Sequence, residues 1–331
     1  MSVAAPMTEP APHEFYNRGL ASYEARRFEE AVLWYRRGLA QSPADGRLLN
    51  NLGRTLNRLG RFEEAEDLLR RAIALDAEKR PMREFNLAIN LLSRGRWKEA
   101  WPLYEARLAV QNVMPAMPYA CWDGKPKANR VLLLRAEQGL GDAILFARFA
   151  SVMGTAMRVV LQVPPRLVPL LSTLRNVRRV FGTDQIIRSD VDDIVWAPLL
   201  SMPLHLGLPP DAVPASKAYL SAEQARIARW RGWLPEGGLR VGIAWQGSPD
   251  GEVDWDRSVA LAQFQALAEI EGVTLVSLQK GFGSEQIAQV PFGARIVRPP
   301  DDLDADSAFL DSAALMIWML RPSSMPRFFA L

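Results

Sequence analysis

ARRFEEA (residues 25–31), RLGRFEEA (58–65) and SRGRWKEA (93–100) are three versions of one short stretch, and their spacing decides the fold of the first third of the chain. Ala31, Ala65 and Ala100 fall 34 and 35 residues apart, and Gly19, Gly53 and Ala88 keep the same interval. Phe28, Phe62 and Trp97 stand three residues ahead of those alanines. A period of this length belongs to a two-helix unit that cannot bury its apolar face alone, so successive units stack. Gly or Ala lets the first helix of a unit approach the second, while the aromatic staples the turn between them. Pro43 closes the first unit and Pro81 opens the third, where a fixed φ and a missing N–H are tolerated.

The pattern resembles the tetratricopeptide repeat family over residues 13–110, in about three units. The resemblance implies a concave face that binds a protein or peptide segment.

Composition sets the frame for the rest. The 331 residues are 49% hydrophobic and 23% charged, ordinary for a globular chain long enough for two or three domains. The formal net charge is only +3, with Arg and Glu interspersed, so nothing points to nucleic acid. One cysteine, Cys121, allows no internal disulfide and fits a reducing compartment, and two histidines, His13 and His205, make no zinc site by themselves. The opening MSVAAPMTEPAPH has neither the basic start nor the apolar stretch of a secretory signal, and no run of 18 apolar residues follows. The expectation is a cytoplasmic protein without a transmembrane segment, with a disordered tail over 1–12.

Beyond a Met- and Pro-rich linker (111–129), Val131–Arg135 reads as a buried strand, AEQGLGD (136–142) as a glycine turn, Asp142–Met157 as a helix and RVVLQV (158–163) as a second strand. This is the βαβ unit of a parallel sheet. Val177–Phe181 and Ile194–Ala197 extend it. After a connecting helix (221–238), LRVGIAW (239–245), a helix over 259–270 and VTLVSLQ (273–279) suggest a second unit, with ARIVRPP (294–300) as its third strand. The expected fold is α + α/β: helical repeats, then two Rossmann-like domains at 130–220 and 239–331 with a cleft between them.

Glu137-Gln138-Gly139-Leu140-Gly141-Asp142 sits where a strand gives way to a helix, and its glycines would let a ligand reach backbone N–H groups. A dinucleotide site fits poorly: the third position of G-x-G-x-x-G is Ile144, and the next strand ends in Gln162 and Val163 rather than an acid. The Gly-Lys-Ser/Thr ending of a P-loop is absent.

W-D-G (122–124), RVLLLRAEQGLGDAILFARF (130–149), VGIAWQGSP (241–249), DRS (256–258) and SLQK (277–280) together are similar to tetratricopeptide-containing members of the heptosyltransferase-like superfamily of glycosyltransferases, family 9. That resemblance implies the two-domain GT-B arrangement and inverting transfer of a sugar from a nucleotide-sugar donor to an acceptor hydroxyl. It needs no metal and no cofactor beyond that co-substrate. It implies Asp142 as general base, with Glu137, Gln138, Gly139 and Gly141 around it. The donor side would comprise Trp245, Gln246, Gly247, Arg257, Ser258, Gln279 and Lys280, with Arg257 or Lys280 neutralising a diphosphate leaving group. Plainer readings stay open beside these. Asp142 could be a helix N-cap or N-terminal charge, Trp245 core, Arg257 a partner of Asp254 or Asp256, and Lys280 a solvated turn residue. Gly139 and Gly141 could answer a backbone requirement.

The family's second domain continues past DSAFLDSAALM (306–316) into another strand, an Asp-Thr pair, a downstream His and a final helix. Here IWMLRPSSMPRFFAL (317–331) stands instead. The expectation is an incomplete second domain, truncated or frame-shifted. The competing function is a non-enzymatic adaptor, whose repeats bind a partner beside a degenerate transferase remnant.

Overall fold

The computed structural model describes residues 12–75, 79–111, 117–185, 193–209, 212–213, 218–247 and 257–319. The expected tail before Pro12, Asp254, Asp256 and the segment from 320 lie outside them.

In chain order the elements are α1 (Pro12–Glu24), α2 (Phe28–Gln41), α3 (Gly46–Arg58), α4 (Phe62–Leu75), α5 (Arg80–Ser93), α6 (Trp97–Tyr104), α7 (Arg107–Gln111) and β1 (Ala120–Cys121). There follow β2 (Val131–Arg135), α8 (Leu140–Met153), β3 (Arg158–Val163), α9 (Val168–Leu171), β4 (Arg179–Gly182), β5 (Ile194–Pro198) and α10 (Met202–Leu206). The last are α11 (Gln224–Arg231), β6 (Leu239–Ile243), α12 (Gln265–Ala268), β7 (Val273–Ser277) and α13 (Leu310–Met319).

Three helical hairpins, α1/α2, α3/α4 and α5/α6, follow the period of the sequence, and each packs on the next. Ala31, Ala65, Ala88 and Ala100 are fully buried. A Cβ on Gly19 would lie 2.3 Å from the Tyr35 ring, and one on Gly53 would lie 2.7 Å from Leu69 Cγ. The small residues are therefore set by the approach of each hairpin's two helices. Gly19→Leu should destabilise the repeats by about 1–3 kcal/mol, because overpacking at a ring that is 1% exposed outweighs the better helix propensity. Urea unfolding followed by circular dichroism checks it.

A charge ladder runs on the same period. Arg27, Arg61 and Arg96 each pair with the glutamate three residues on (Glu30, Glu64 and Glu99), while Arg36 and Arg70 reach Glu64 and Glu99 of the following repeat. Arg70 beside Glu99 holds that carboxyl below its usual range. Such half-exposed pairs are individually weak, and their value lies in the network.

The chain divides into two compact units. One comprises the residues up to Lys125 together with Ala197–Val213; the other is Pro126–Trp196 with Pro214–Leu331. Ala197–Val213, expected within the first Rossmann-like domain, thus groups with the repeats. The attachment is specific: the Arg107 side chain, 0% exposed, donates to Ser201 Oγ at 2.9 Å and to Glu105 Oε1 at 2.6 Å, and Ser201 Oγ donates to Glu105 Oε2 at 2.8 Å.

In the second unit strands run in the order β5-β2-β3-β4, with β2/β3 and β3/β4 parallel. Buried Leu132, Leu133, Leu134, Val159, Leu161 and Val163 make these strands apolar on both faces, as a covered parallel sheet requires. Helix α8 starts two residues before the expected Asp142 and stops at Met153. Its cap, Gly154, lies against Asn176, whose carbonyl oxygen would be 1.9 Å from any Cβ there. A separate parallel pair, β6-β7, follows. One core contains Ile243, Trp245, Leu261, Leu275 and Phe292, and another contains Trp230, Val276, Leu315 and Met319.

Two expectations are corrected here. The helix over 259–270 is a 3-10 turn, Leu261–Phe264, followed by the four-residue α12. Only Leu261 is buried in that stretch, too little packing to sustain a long helix. The strand over 294–300 is reduced to one bridge, Val297 with Val276. Pro299 and Pro300 have no N–H with which to continue the ladder.

Candidate functional site

Three groups of residues carry the sequence motifs. The first is the start of α8, reached directly from β2. Gly139 is the N-cap, in extended conformation, and Asp142 occupies the third helical position, with no side chain capping the helix. Asp142 is thus not the N-cap. Its carboxylate turns back toward the cap: a Cβ on Gly139 would lie 3.4 Å from Asp142 Oδ2. Neither Gly139 nor Gly141 has a positive φ, and a Cβ on Gly141 would meet nothing within 4 Å. Among the described residues, neither a left-handed φ nor a close neighbour demands glycine at either position. Glu137 and Gln138 precede it, half-buried.

Gln162 occupies the strand end where a dinucleotide fold would place an acid. Its side chain accepts from Arg135 Nη1 at 3.1 Å and donates to the carbonyls of Gly182 and Gln185. It is spent on joining β2, β3 and β4.

The second group lies at the C-terminal ends of β6 and β7, and brings together residues some 35 apart in the chain. Gln279 Oε1 accepts from the amides of Trp245 (3.1 Å) and Gln246 (2.9 Å), and its Nε2 donates to the carbonyls of Gln246 and Phe282. Ser258 Oγ accepts from Gly247 N at 2.9 Å and from Gln246 Nε2 at 3.1 Å. Trp245 is 2% exposed, with its indole N–H on Gly283 O, so its ring lies in the core beneath the loop. Lys280, itself exposed, donates from Nζ to Leu303 O. Arg257 follows directly on residues outside the description. The sequence reading missed Gln286, which donates to Gln246 Oε1 and accepts from Leu261 N, and the loop Gly281–Gly283. The G-x-G after SLQK was its available signal.

The third group is the repeat surface. The first helices of successive hairpins touch, α1 with α3 and α3 with α5. Asn86 Nδ2 donates to Asn50 Oδ1 (2.9 Å) and Asn90 Nδ2 to Asn57 Oδ1 (2.7 Å), lacing α5 to α3. Arg54 and Arg47 stack over Tyr23 and Tyr16 at 4.1 and 5.3 Å, and Met82 and Ile89 stand exposed on α5. Tyr23, Asn86 and Asn90 are buried between the helices, while Arg47, Met82 and Ile89 are exposed and Tyr16 is half-buried, a mix of cationic and apolar groups that can hold an extended segment.

A tetratricopeptide repeat family profile matches residues 25–78. The N-terminal region carries tetratricopeptide repeats. Protein FlbA of Caulobacter vibrioides is 28% identical over 267 residues, covering 71% of this chain and 43% of that protein, so the chain spans less than half the length of this curated relative. Among solved structures, the second TPR of Spaghetti (RPAP3) bound to the HSP90 peptide SRMEEVD is 24% identical over 30% of this chain and 90% of that one, with a TM-score of 0.28. The Arabidopsis OM64 TPR domain is 20% identical over 30% and 83%, with a TM-score of 0.29.

Two further features flank the tetratricopeptide repeats. The W-D-G motif forms a turn with Gly124 at φ 78°, in which Trp122 Nε1 donates to Lys125 O and Lys125 N to Asp123 Oδ1. Trp122 packs on His205 with ring centroids 4.9 Å apart, and burial pushes the His205 imidazole below its ordinary value, against the pull of Glu105 and Asp123. Among the described residues no helix is long and apolar enough to cross a membrane, and no group of His, Cys, Asp and Glu could hold a metal.

Proposed function

We propose that the chain is a glycosyltransferase-like protein of GT-B type, moving a sugar from a nucleotide-sugar donor to an acceptor hydroxyl, with its repeats recruiting the acceptor or a partner protein. The observation that carries this reading is the convergence of W-Q-G, Ser258 and Gln279 into one hydrogen-bonded loop system at the ends of two parallel strands, where ligands of α/β sheets bind. The unneeded glycines at the start of α8 support it from the other sheet. Asp142 takes the acceptor proton as the acceptor oxygen attacks the anomeric carbon, and the nucleoside diphosphate departs with the bonding pair. Arg257 and Lys280 neutralise its charge. The repeats bind a protein or peptide segment along the row of α1, α3 and α5, on which Arg47, Met82 and Ile89 are exposed.

Melting with a panel of nucleoside diphosphates and nucleotide sugars tests the reading, since a ligand held only by the native state raises the melting temperature. A shift of several degrees with at least one of them is expected; no shift with any removes the transferase reading. Gly141→Ala should raise the ligand-free stability by about 0.4–1 kcal/mol, its backbone being helical and its Cβ unobstructed, while weakening binding of the ligand that needs that backbone bare.

A second reading, an adaptor with a degenerate transferase remnant, is favoured by the β6-β7 sheet, which has two strands among the described residues. In that case the panel gives no shift and partner capture by the repeats persists.

A further inference from the structure

We infer that Phe282 is the ring against which the base of the bound nucleotide stacks; the inference rests on the nucleotide-sugar reading above. Phe282 is 53% exposed, although it is a large apolar ring in a short loop beside a buried core. Its mount is rigid. Gly281 and Gly283 flank it at φ 68° and 88°, and a Cβ on Gly283 would lie 2.5 Å from Gln246 Cβ, so the loop is pressed against the W-Q-G turn. Three successive carbonyls are each fixed: Gly281 O accepts from Ser284 Oγ (2.6 Å), Phe282 O from Gln279 Nε2 (2.7 Å) and Gly283 O from Trp245 Nε1 (2.9 Å). The side chains that hold the loop are those of the W-Q-G and S-L-Q-K motifs. The loop presents a ring to solvent at the end of β7, beside Lys280.

An aromatic face on a preorganised backbone loses little entropy when a flat ligand covers it. A nucleoside diphosphate offers a flat base and, at the other end, a charge suited to Lys280 and Arg257. Stacking tolerates any base, because each has a π-face. The ring therefore sets affinity for nucleotides as a class, and base identity is read elsewhere.

The test is calorimetric titration of ADP, UDP, GDP and CDP, with inorganic pyrophosphate as a fifth probe, into the full chain and its Phe282→Ala and Phe282→Tyr variants. The exposed ring makes Phe282→Ala neutral for folding, checked by an unchanged ligand-free melting temperature. Phe282→Ala is expected to weaken every nucleotide that binds by a common factor of about ten or more, to leave pyrophosphate unchanged, and to be rescued by Phe282→Tyr. Unchanged nucleotide binding in Phe282→Ala overturns the stacking role and leaves the nucleotide-sugar reading standing. Equal loss of pyrophosphate, or a lowered ligand-free melting temperature, assigns the ring to holding the loop and also overturns it. If the unaltered chain binds none of the nucleotides, both fall.

Discussion

Asp142→Asn should abolish sugar transfer while leaving the nucleotide-induced rise in melting temperature intact. Asparagine has the size and shape of aspartate and stays at the third position of α8, so the helix and the glycine turn before it are preserved. What it lacks is a basic oxygen to accept the acceptor's proton, and positioned general bases contribute roughly 10²–10⁴-fold to a rate. Loss of a charge at a helix start costs only about 0.3–1 kcal/mol, too little to unfold the unit. A single-turnover assay read alongside the melting shift separates the roles. Transfer lost with the shift retained fits a base. Transfer retained assigns the proton to another group, and loss of both makes Asp142 part of the donor site.

The legibility of this chain followed the locality of the forces involved. The repeats were readable because each contact recurs: Gly19 against Tyr35 and Gly53 against Leu69 are the same approach of two helices. The strand at Arg158–Val163 was readable to the residue, since a largely apolar, β-branched run stopping at Pro164 leaves little choice, even though the helix before it stops at Met153 rather than at Met157. The helix over 259–270 was not, because its Ala, Leu and Gln have the propensity but all except Leu261 lack burial. Propensity is visible in sequence and tertiary support is not. The attachment of Ala197–Val213 to the repeats depends on Arg107 and Ser201, 94 residues apart, and no local pattern announces it. At the candidate site, the sequence singled out motif residues but not the side chains they bond to. Gln279 was expected to face a donor; its amide holds the W-Q-G turn, and Phe282, which the motifs do not include, stands exposed in the neighbouring loop.

Asp311→Ala should be the most destabilising single change in the second unit, at about 3–5 kcal/mol. The side chain is 1% exposed and accepts three hydrogen bonds, from Trp230 Nε1 at 2.8 Å, Arg226 Nη1 at 2.9 Å and the Asp304 amide at 3.0 Å. Asp304 returns the favour, accepting from the amides of Asp311 and Ser312 at the start of α13. Truncation leaves a buried indole N–H and a buried amide without their acceptor, while the Arg226 guanidinium loses one of its carboxylates but keeps Asp306 and Glu223. Burial opposes ionisation of Asp311, but the hydrogen bonds from Trp230 and Arg226 outweigh it and hold the carboxyl below the usual carboxylate range. A carboxyl with its folded pKa lowered contributes stability above its unfolded value near ~3.9, and that contribution fades as pH falls through the folded value. The gap in denaturant stability between the unaltered chain and Asp311→Asn should therefore be constant from pH 7 to about pH 5 and narrow steadily below about pH 4. A gap that stayed constant down to about pH 2 would mean that Asp311 acts through shape alone, and that the charge-assisted bonds to Trp230 and Arg226 contribute nothing to holding α11 against α13.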